Sequence, residues 1–385
     1  MSYQEGSSWS ANESRDLVSI GSPDHKNSNQ FNMIFGCQTS ITGLFQTQLA
    51  DGILGMDNDR IALWRQMYDS KVIDFPTFSL CFTHQLDYKL EAGTMTIGTT
   101  IPELHKHPIV YAEIEEGSHM FSIHLRKIYL YSEGVESVEE LEETNLQVLQ
   151  VEERVLNDGR VVIDSGTTDT YLNLDIKEEF CKLWKDITKN SFSVGPNAYS
   201  KTEFYQLPTI VFQMKGTTTN IIKDLKGTPG SASRFDEDYA KDILVVMPPS
   251  HYMQYLPGSK TFIPKIRFEE SGGTVLGANF MQGHDIFFDR DNRRIGFAES
   301  NCDYKYLVSG KKTLSSTSPF DSKYNSHFVD RGVCYTYECQ LITIFTIIVC
   351  VSITAALIAS NRRRRIKDQT NNLNIDGEIS LHEFS

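Results

Sequence analysis

The sequence has no excess of positive charge. Its 385 residues carry 37 Lys and Arg side chains against 50 Asp and Glu, which gives a formal net charge of −13 at pH 7. A protein that binds nucleic acid needs clustered basic side chains to neutralise phosphates. The composition therefore disfavours a nucleic-acid partner, and its acidic character by itself favours solubility.

The sequence also lacks the cysteine and histidine spacing of a zinc site. No Cys-x-x-Cys pair occurs among its 7 cysteines, whereas structural zinc sites use closely spaced Cys and His ligands. We therefore expect no zinc site, and we predict no cofactor.

A secretory leader is a third missing feature. The chain begins Met-Ser-Tyr-Gln-Glu-Gly-Ser, with neither the charged segment nor the apolar stretch of a signal peptide. A luminal domain with a C-terminal membrane anchor needs some route into the membrane, and these first residues supply none.

One long apolar run is present, at residues 341–359, and it contains no charged side chain. A helix of that length just spans the hydrocarbon core of a bilayer. Four arginines follow at 362–365, and the positive-inside rule places them in the cytoplasm. We predict a single-pass type I membrane protein of the secretory pathway or cell surface, with residues 1–340 luminal or extracellular. That compartment would allow disulfides among the six cysteines outside the run, which can pair in fifteen ways.

A carboxylate lies at the end of a predicted strand in the middle of the chain. Residues 161–163, Val-Val-Ile, favour extended backbone, and Asp164 is followed by Ser-Gly-Thr-Thr. Hydroxyl and backbone N–H groups in such a turn can hydrogen-bond the carboxylate. By itself the pattern describes an ordinary strand-to-turn junction equally well.

Other motifs accompany Asp164 in a fixed order. Tyr3-x-x-Gly6-Ser7 comes first, followed by Ala-Asp-Gly-Ile-Leu-Gly at 50–55. The later ones are Leu-Pro-Thr-Ile at 207–210, Val-Leu-Gly at 275–277, Phe-Asp at 288–289 and Ile-Gly-Phe-Ala at 295–298. Together they resemble the pepsin-like aspartic proteases, peptidase family A1. The Phe-Gly-Cys and Phe-Ser-Leu-Cys segments and the membrane anchor resemble its nepenthesin-like and plasmepsin V-like members.

The resemblance implies an all-β, bilobal pepsin-like fold with an incomplete N-terminal lobe, plus one C-terminal transmembrane helix. It also implies catalysis by two aspartates that share a proton and activate a water molecule. Asp164 would be one of them, and Cys37 would pair with Cys81. The substrate-binding residues would be the flap residue Tyr3, with Gly6, Ser7, Gly166, Thr167 and Thr168.

Five segments follow from these assignments. They are a partial N-terminal lobe with the flap (1–107), a C-terminal lobe (108–303), a luminal stalk (304–340), the transmembrane helix (341–359) and a cytoplasmic tail (360–385). The boundary between the lobes lies at His105-Lys106-His107-Pro108, because this stretch breaks the strand pattern. We expect both of its histidines to be solvated.

Asp-Ser/Thr-Gly occurs once in the sequence, at Asp164. By the resemblance, the first aspartate should precede Tyr3, so we expect an N-terminally truncated chain. The predicted function is that of a monomeric, membrane-anchored aspartic endopeptidase that acts on protein or peptide substrates. The alternative is a catalytically inactive pepsin-like protein that binds peptides or serves as a receptor.

Three further segments carry weaker signals. Residues 133–153 hold eight glutamates and no base, which indicates either a docking surface for a basic partner or, as we favour, a solvated insertion loop. Residues 175–189 predict an amphipathic helix with Phe180 and Trp184 on its apolar face. Residues 372–383 have the spacing of a calcium-binding EF-hand loop, but Asn372 takes the first position and no exit helix follows.

Overall fold

The computed structural model describes residues 6–20, 29–47, 52–83, 93–218, 220, 227–269 and 273–302. These lie within the first of two compact units, Met1–Phe320. The predicted stalk, transmembrane helix, cytoplasmic tail and EF-hand-like segment fall outside the described residues, as does Tyr3. Among the residues that are described, no helix is long and apolar enough to cross a membrane.

Strands dominate the described part of the chain, which confirms the expectation of a mostly β fold with few helices. The strands are β1 (Trp9–Ser19), β2 (Gln30–Ile41), β3 (Thr77–Phe82), β4 (Gly93–Ile97), β5 (Val110–Glu113), β6 (Ser122–Ile123), β7 (Leu125–Tyr131), β8 (Leu146–Val148), β9 (Val161–Ile163), β10 (Thr170–Asn173), β11 (Thr209–Met214), β12 (Ile243–Met247), β13 (Met253–Leu256), β14 (Thr261–Pro264), β15 (Ile266–Glu269), β16 (Thr274–Leu276), β17 (His284–Asp289) and β18 (Arg294–Glu299). The α-helices are α1 (Leu63–Asp69), α2 (Glu153–Leu156), α3 (Lys177–Thr188), α4 (Lys201–Tyr205), α5 (Pro249–Tyr252) and α6 (Ala278–Met281).

Asp164 belongs to a five-stranded sheet in the order β15-β10-β16-β9-β6, which we call the Asp164 sheet. Its central strands are short and rich in β-branched residues, which pack well on a buried pleated surface. Strand β16 runs parallel to β9, with Leu276 opposite Ile163. The Val-Leu-Gly motif at 275–277 therefore lies directly beside the strand that leads to Asp164. Helix α3 confirms the predicted amphipathic helix, with Phe180 and Trp184 buried.

A second five-stranded sheet, in the order β4-β3-β17-β18-β5, we call the joining sheet. Its strands come from both sides of residue 107, where we predicted the lobe boundary, and the lobe division itself stays a prediction. Strand β17 is buried along its whole length, and it has an antiparallel neighbour on each side, β3 and β18. An outer sheet, β12-β11-β7-β8, and two hairpins, β1–β2 and β13–β14, complete the β-structure of the described residues.

The disulfide of the joining sheet corrects the pairing that the resemblance implied. Cys81 bonds to Cys302, with Cα atoms 5.1 Å apart, whereas Cys37 is a free and exposed thiol. The physical reason is topological. The β1–β2 hairpin places Cys37 opposite Asn12 on an exposed ribbon, while Cys81 lies in β3, near the point where the chain leaves β18.

The two boundary histidines are not solvated, so that expectation was wrong. An antiparallel bridge between His105 and Ser300 holds this segment beside the end of β18. The His105 side chain is 8% exposed, and its Nε2 lies 2.8 Å from Asp285 Oδ2. His107 lies between Glu139 and Glu299, 3.6 Å from a carboxylate oxygen of each.

The glutamate-rich segment is docked on the protein, which also differs from the expected solvated loop. Val135, Val138 and Leu141 are buried against the outer sheet. The buried carboxylate of Glu299 accepts hydrogen bonds from Ser137 Oγ and Val138 N, both at 2.7 Å. Apolar residues between the glutamates therefore anchor the segment, although most of its carboxylates remain exposed.

Candidate active site

The backbone of Asp164 is fixed by the strand ladder of the Asp164 sheet. Strand β9 lies between β16, which is parallel to it, and β6, which is antiparallel. Asp164 N donates to Leu276 O at 3.1 Å, so the hydrogen bonds continue one residue beyond β9. The hydrogen bonds of the sheet therefore fix the backbone of Asp164. Its carboxylate projects from the point where the chain begins to turn.

Two donors from the following turn orient the Asp164 carboxylate. Gly166 N donates to Oδ1 at 2.8 Å, and Thr167 Oγ1 donates to Oδ2 at 2.6 Å. Hydrogen bonds to a carboxylate are short and stronger than neutral ones. A side chain at Gly166 would place its Cβ 3.1 Å from Asp164 Oδ1, so glycine allows this turn to close tightly around the acid.

Backbone hydrogen bonds from the start of α6 fix this turn. Ala278 N donates to Thr167 O at 2.7 Å, and Asn279 N donates to Thr168 O at 3.2 Å. A Cβ on Gly277 would lie 2.6 Å from Thr167 O and 2.2 Å from Asp169 O. The two backbones can approach this closely only because residue 277 is glycine.

Asp164 lines a cleft of about 1000 Å³, a size that accommodates several side chains of an extended peptide. An aromatic cluster contributes to its lining: Phe288 stacks on Phe78 with ring centroids 4.5 Å apart, and Phe121 lies 4.7 Å from Phe288. Ile53 and Leu54 also line the cleft and are 52% and 48% exposed.

The structure brings some of the predicted site residues together and separates others. Gly166 and Thr167 line the cleft with Asp164. Thr168 is outside the cleft lining and interacts with α6 through its carbonyl. Gly6 and Ser7 are not in the lining either: Ser7 is buried and its Oγ accepts from Leu44 N at 2.9 Å. Tyr3 falls outside the described residues, so the flap assignment stays a prediction.

Three residues near the site were missed by sequence reasoning. Buried Asn279 accepts from Thr170 Oγ1 at 2.7 Å and donates to Lys265 O at 2.9 Å, which ties α6 to the Asp164 sheet. Tyr171 and Glu269 line the cleft from β10 and β15. Strand alternation after Asp164 could have indicated Tyr171, but no local pattern relates Glu269 to residues about 100 positions earlier.

No metal site is evident near the cleft. Within the part of the chain that the structure describes, no group of three or more His, Cys, Asp or Glu side chains is arranged to hold a metal ion.

Asp164 is thus a strand-end aspartate, held by the next turn, in a cleft of about 1000 Å³. A family model of eukaryotic aspartyl proteases matches residues 1–300 of this chain. The chain belongs to the eukaryotic aspartyl protease family.

One curated relative is a beta-secretase of Strongylocentrotus purpuratus. It is 24% identical to this chain over 160 residues, which cover 38% of this chain and 27% of that protein. The match therefore spans about a quarter of the relative's length.

Proposed function

We propose that this aspartyl protease hydrolyses peptide bonds, with Asp164 as one of two aspartates that activate a water molecule. The observation that carries the proposal is the Asp164 carboxylate, held by Gly166 N and Thr167 Oγ1 in a cleft of about 1000 Å³. In this mechanism the ionised aspartate takes a proton from water, whose oxygen attacks the peptide carbonyl. The protonated partner donates its proton to the carbonyl oxygen.

The second aspartate needs a strand of its own, and residues 53–55 offer a place for it. Val-Leu-Gly at 275–277 pairs with the strand that leads to Asp164. The similar Ile53-Leu54-Gly55 forms no strand, and its two aliphatic side chains are about half exposed. We propose that a strand with the first aspartate packs along residues 53–55, and that it precedes residue 1 in the complete protein. The single Asp-Ser/Thr-Gly in these 385 residues supports this arrangement.

A second candidate function is peptide binding without hydrolysis. The single Asp-Ser/Thr-Gly also favours this reading, because one carboxylate cannot serve as both base and acid in the same step. A cleft of this size could still hold an extended peptide.

The test uses the full open reading frame of the gene and libraries of internally quenched peptides at acidic pH. We expect cleavage that a pepstatin-type inhibitor blocks and that Asp164→Asn abolishes. Asp291→Asn, an exposed aspartate in the β17–β18 turn, is the matched control and should cleave normally. Cleavage by Asp164→Asn would refute the assignment of Asp164. Binding of the same peptides without cleavage by any form would support the receptor-like alternative.

We further propose a C-terminal membrane anchor at residues 341–359, with residues 1–340 on the luminal or extracellular side. The Cys81–Cys302 disulfide supports this orientation, because disulfides persist in oxidising compartments. Alkaline carbonate extraction of the full chain should leave it in the membrane pellet, and Ile348→Arg together with Val351→Arg should release it. Release of the unmodified chain would contradict the anchor. The nepenthesin-like or plasmepsin V-like subgroup remains a proposal, and the free Cys37 removes one argument for it.

A further inference from the structure

The exposed face of β10 and β15 contributes to the wall of the cleft through Tyr171 and Glu269. The two strands run parallel, with Tyr171 opposite Arg267 and Asn173 opposite Glu269. Thr170, Leu172 and Ile266 point into the core, whereas Tyr171 and Glu269 line the cleft. Strand alternation therefore places the Tyr171 ring and the Glu269 carboxylate on the same face, as diagonal neighbours across the two strands. A bound peptide would contact this face.

The basic side chains on this wall already have a partner. Arg267 Nε lies 3.4 Å from Asp169 Oδ2, and Lys265 Nζ lies 3.5 Å from Asp169 Oδ1. Asp169 is itself buried, 8% exposed, so it holds both bases close to the sheet. Glu269 is exposed and makes no ion pair with any described residue.

The charge of the described cleft lining is of one sign. Its charged side chains are Asp57, Asp164 and Glu269, and neither a lysine nor an arginine is among the described residues that line it. The phenol of Tyr171 is close to this negative charge: burial raises its pKa, and the carboxylates of Asp169 and Glu269 raise it further. An unpaired carboxylate next to an aromatic face is a favourable place for a cation.

We propose that Tyr171 and Glu269 form a subsite that selects a lysine or arginine side chain of the bound peptide. The aliphatic stem of that side chain lies along the Tyr171 ring while its cationic end pairs with Glu269. The negative charge of the whole chain, −13, steers cationic peptides toward the cleft. The proposal rests on the proposed function, because it names the substrates of the same cleft.

A bland interpretation of the same residues is that Glu269 is an ordinary solvated glutamate. That interpretation predicts no dependence of peptide selection on the charge at residue 269. Removing or reversing the charge of Glu269 therefore distinguishes the two interpretations. A measurement of peptide binding makes the result independent of catalysis.

The experiment measures binding of short, fluorescently labelled peptide libraries by anisotropy. Each library fixes one position as Lys, Gln or Glu and randomises the others, and the protein is the full chain carrying Asp164→Asn so that no peptide is cleaved. At one position we expect the Lys library to bind about fivefold more tightly than the Gln library. Glu269→Gln should abolish that preference, and Glu269→Lys should reverse it in favour of the Glu library.

The control is Glu178→Gln, an exposed glutamate on α3 outside the cleft lining, which should leave the preference unchanged. A Lys preference that survives both substitutions at Glu269 would overturn the proposal, as would the absence of a Lys preference at every position. Failure of the proposed function has a different signature. In that case the protein with Asp164 intact cleaves no peptide, whatever its charge preference in binding.

Discussion

Removal of the Cys81–Cys302 disulfide tests the part of the fold on which the structure and the family resemblance differ most. The double variant Cys81→Ala/Cys302→Ala removes both sulfurs and leaves no new free thiol. Both residues are 2% exposed, and the bond closes a sequence separation of 221 residues. By the chain-entropy relation, closing a loop of that length raises the free energy of the unfolded ensemble by about 5 kcal/mol. Removing a native disulfide typically lowers the free energy of unfolding by about 2–5 kcal/mol.

The single variant Cys37→Ala is the matched control. Cys37 is exposed and free, and an exposed substitution away from caps and packing usually changes stability by less than about 0.5 kcal/mol. We therefore expect a large loss of stability from the double variant and almost none from Cys37→Ala.

Urea unfolding of the oxidised proteins at pH 7 measures both free energies of unfolding. Total stabilities of domains are about 5–15 kcal/mol, so the double variant should show a clearly lower midpoint. Peptide mapping without reduction gives a second readout and should find Cys81 linked to Cys302. A peptide that links Cys37 to Cys81, or a destabilisation by Cys37→Ala as large as that of the double variant, would refute the pairing.

Three more outcomes are expected. Thr167→Val removes a hydrogen-bond donor to the Asp164 carboxylate and should lower kcat about tenfold with KM little changed. Thr167→Ser keeps the hydroxyl and should have a kcat near that of the wild type. An unchanged kcat of Thr167→Val in peptide cleavage would show that this hydrogen bond has no such role. Gly277→Ala should destabilise the fold by about 3 kcal/mol or more in urea, because its Cβ meets two carbonyl oxygens, whereas Gly258→Ala, with open space around it, should stay within about 0.5 kcal/mol. Burial lowers the pKa of His284. As the pH falls through about 6.5, the unfolded chain therefore binds more protons at this residue than the folded protein does. The free energy of unfolding should decrease from pH 7 to pH 5 by up to about 1.4 kcal/mol per pH unit. His284→Gln should flatten that decrease, and an equal slope in both proteins would contradict the assignment.

Several features of this protein follow from the sequence alone. The β-branched run before Asp164 predicts its strand, and the Ser-Gly-Thr turn predicts the donors that hold its carboxylate. The apolar spacing around Phe180 and Trp184 predicts α3. The ordered motifs predict the family. All of these depend on residues close together in the chain, or on motif order, and both are readable from the printed sequence.

Other features were decided by the tertiary structure. The sequence allowed many disulfide pairings, and only the joining sheet, which brings residues from opposite ends of the described chain together, selects Cys81 and Cys302. The same sheet buries His105, whose local sequence predicted a solvated linker. The position of Glu269 beside Tyr171 depends on two strands nearly 100 residues apart that pair in parallel, with a register that their own sequences do not specify. Local patterns report the backbone conformation of a segment, whereas the neighbours of a side chain depend on which distant segments the fold packs against it.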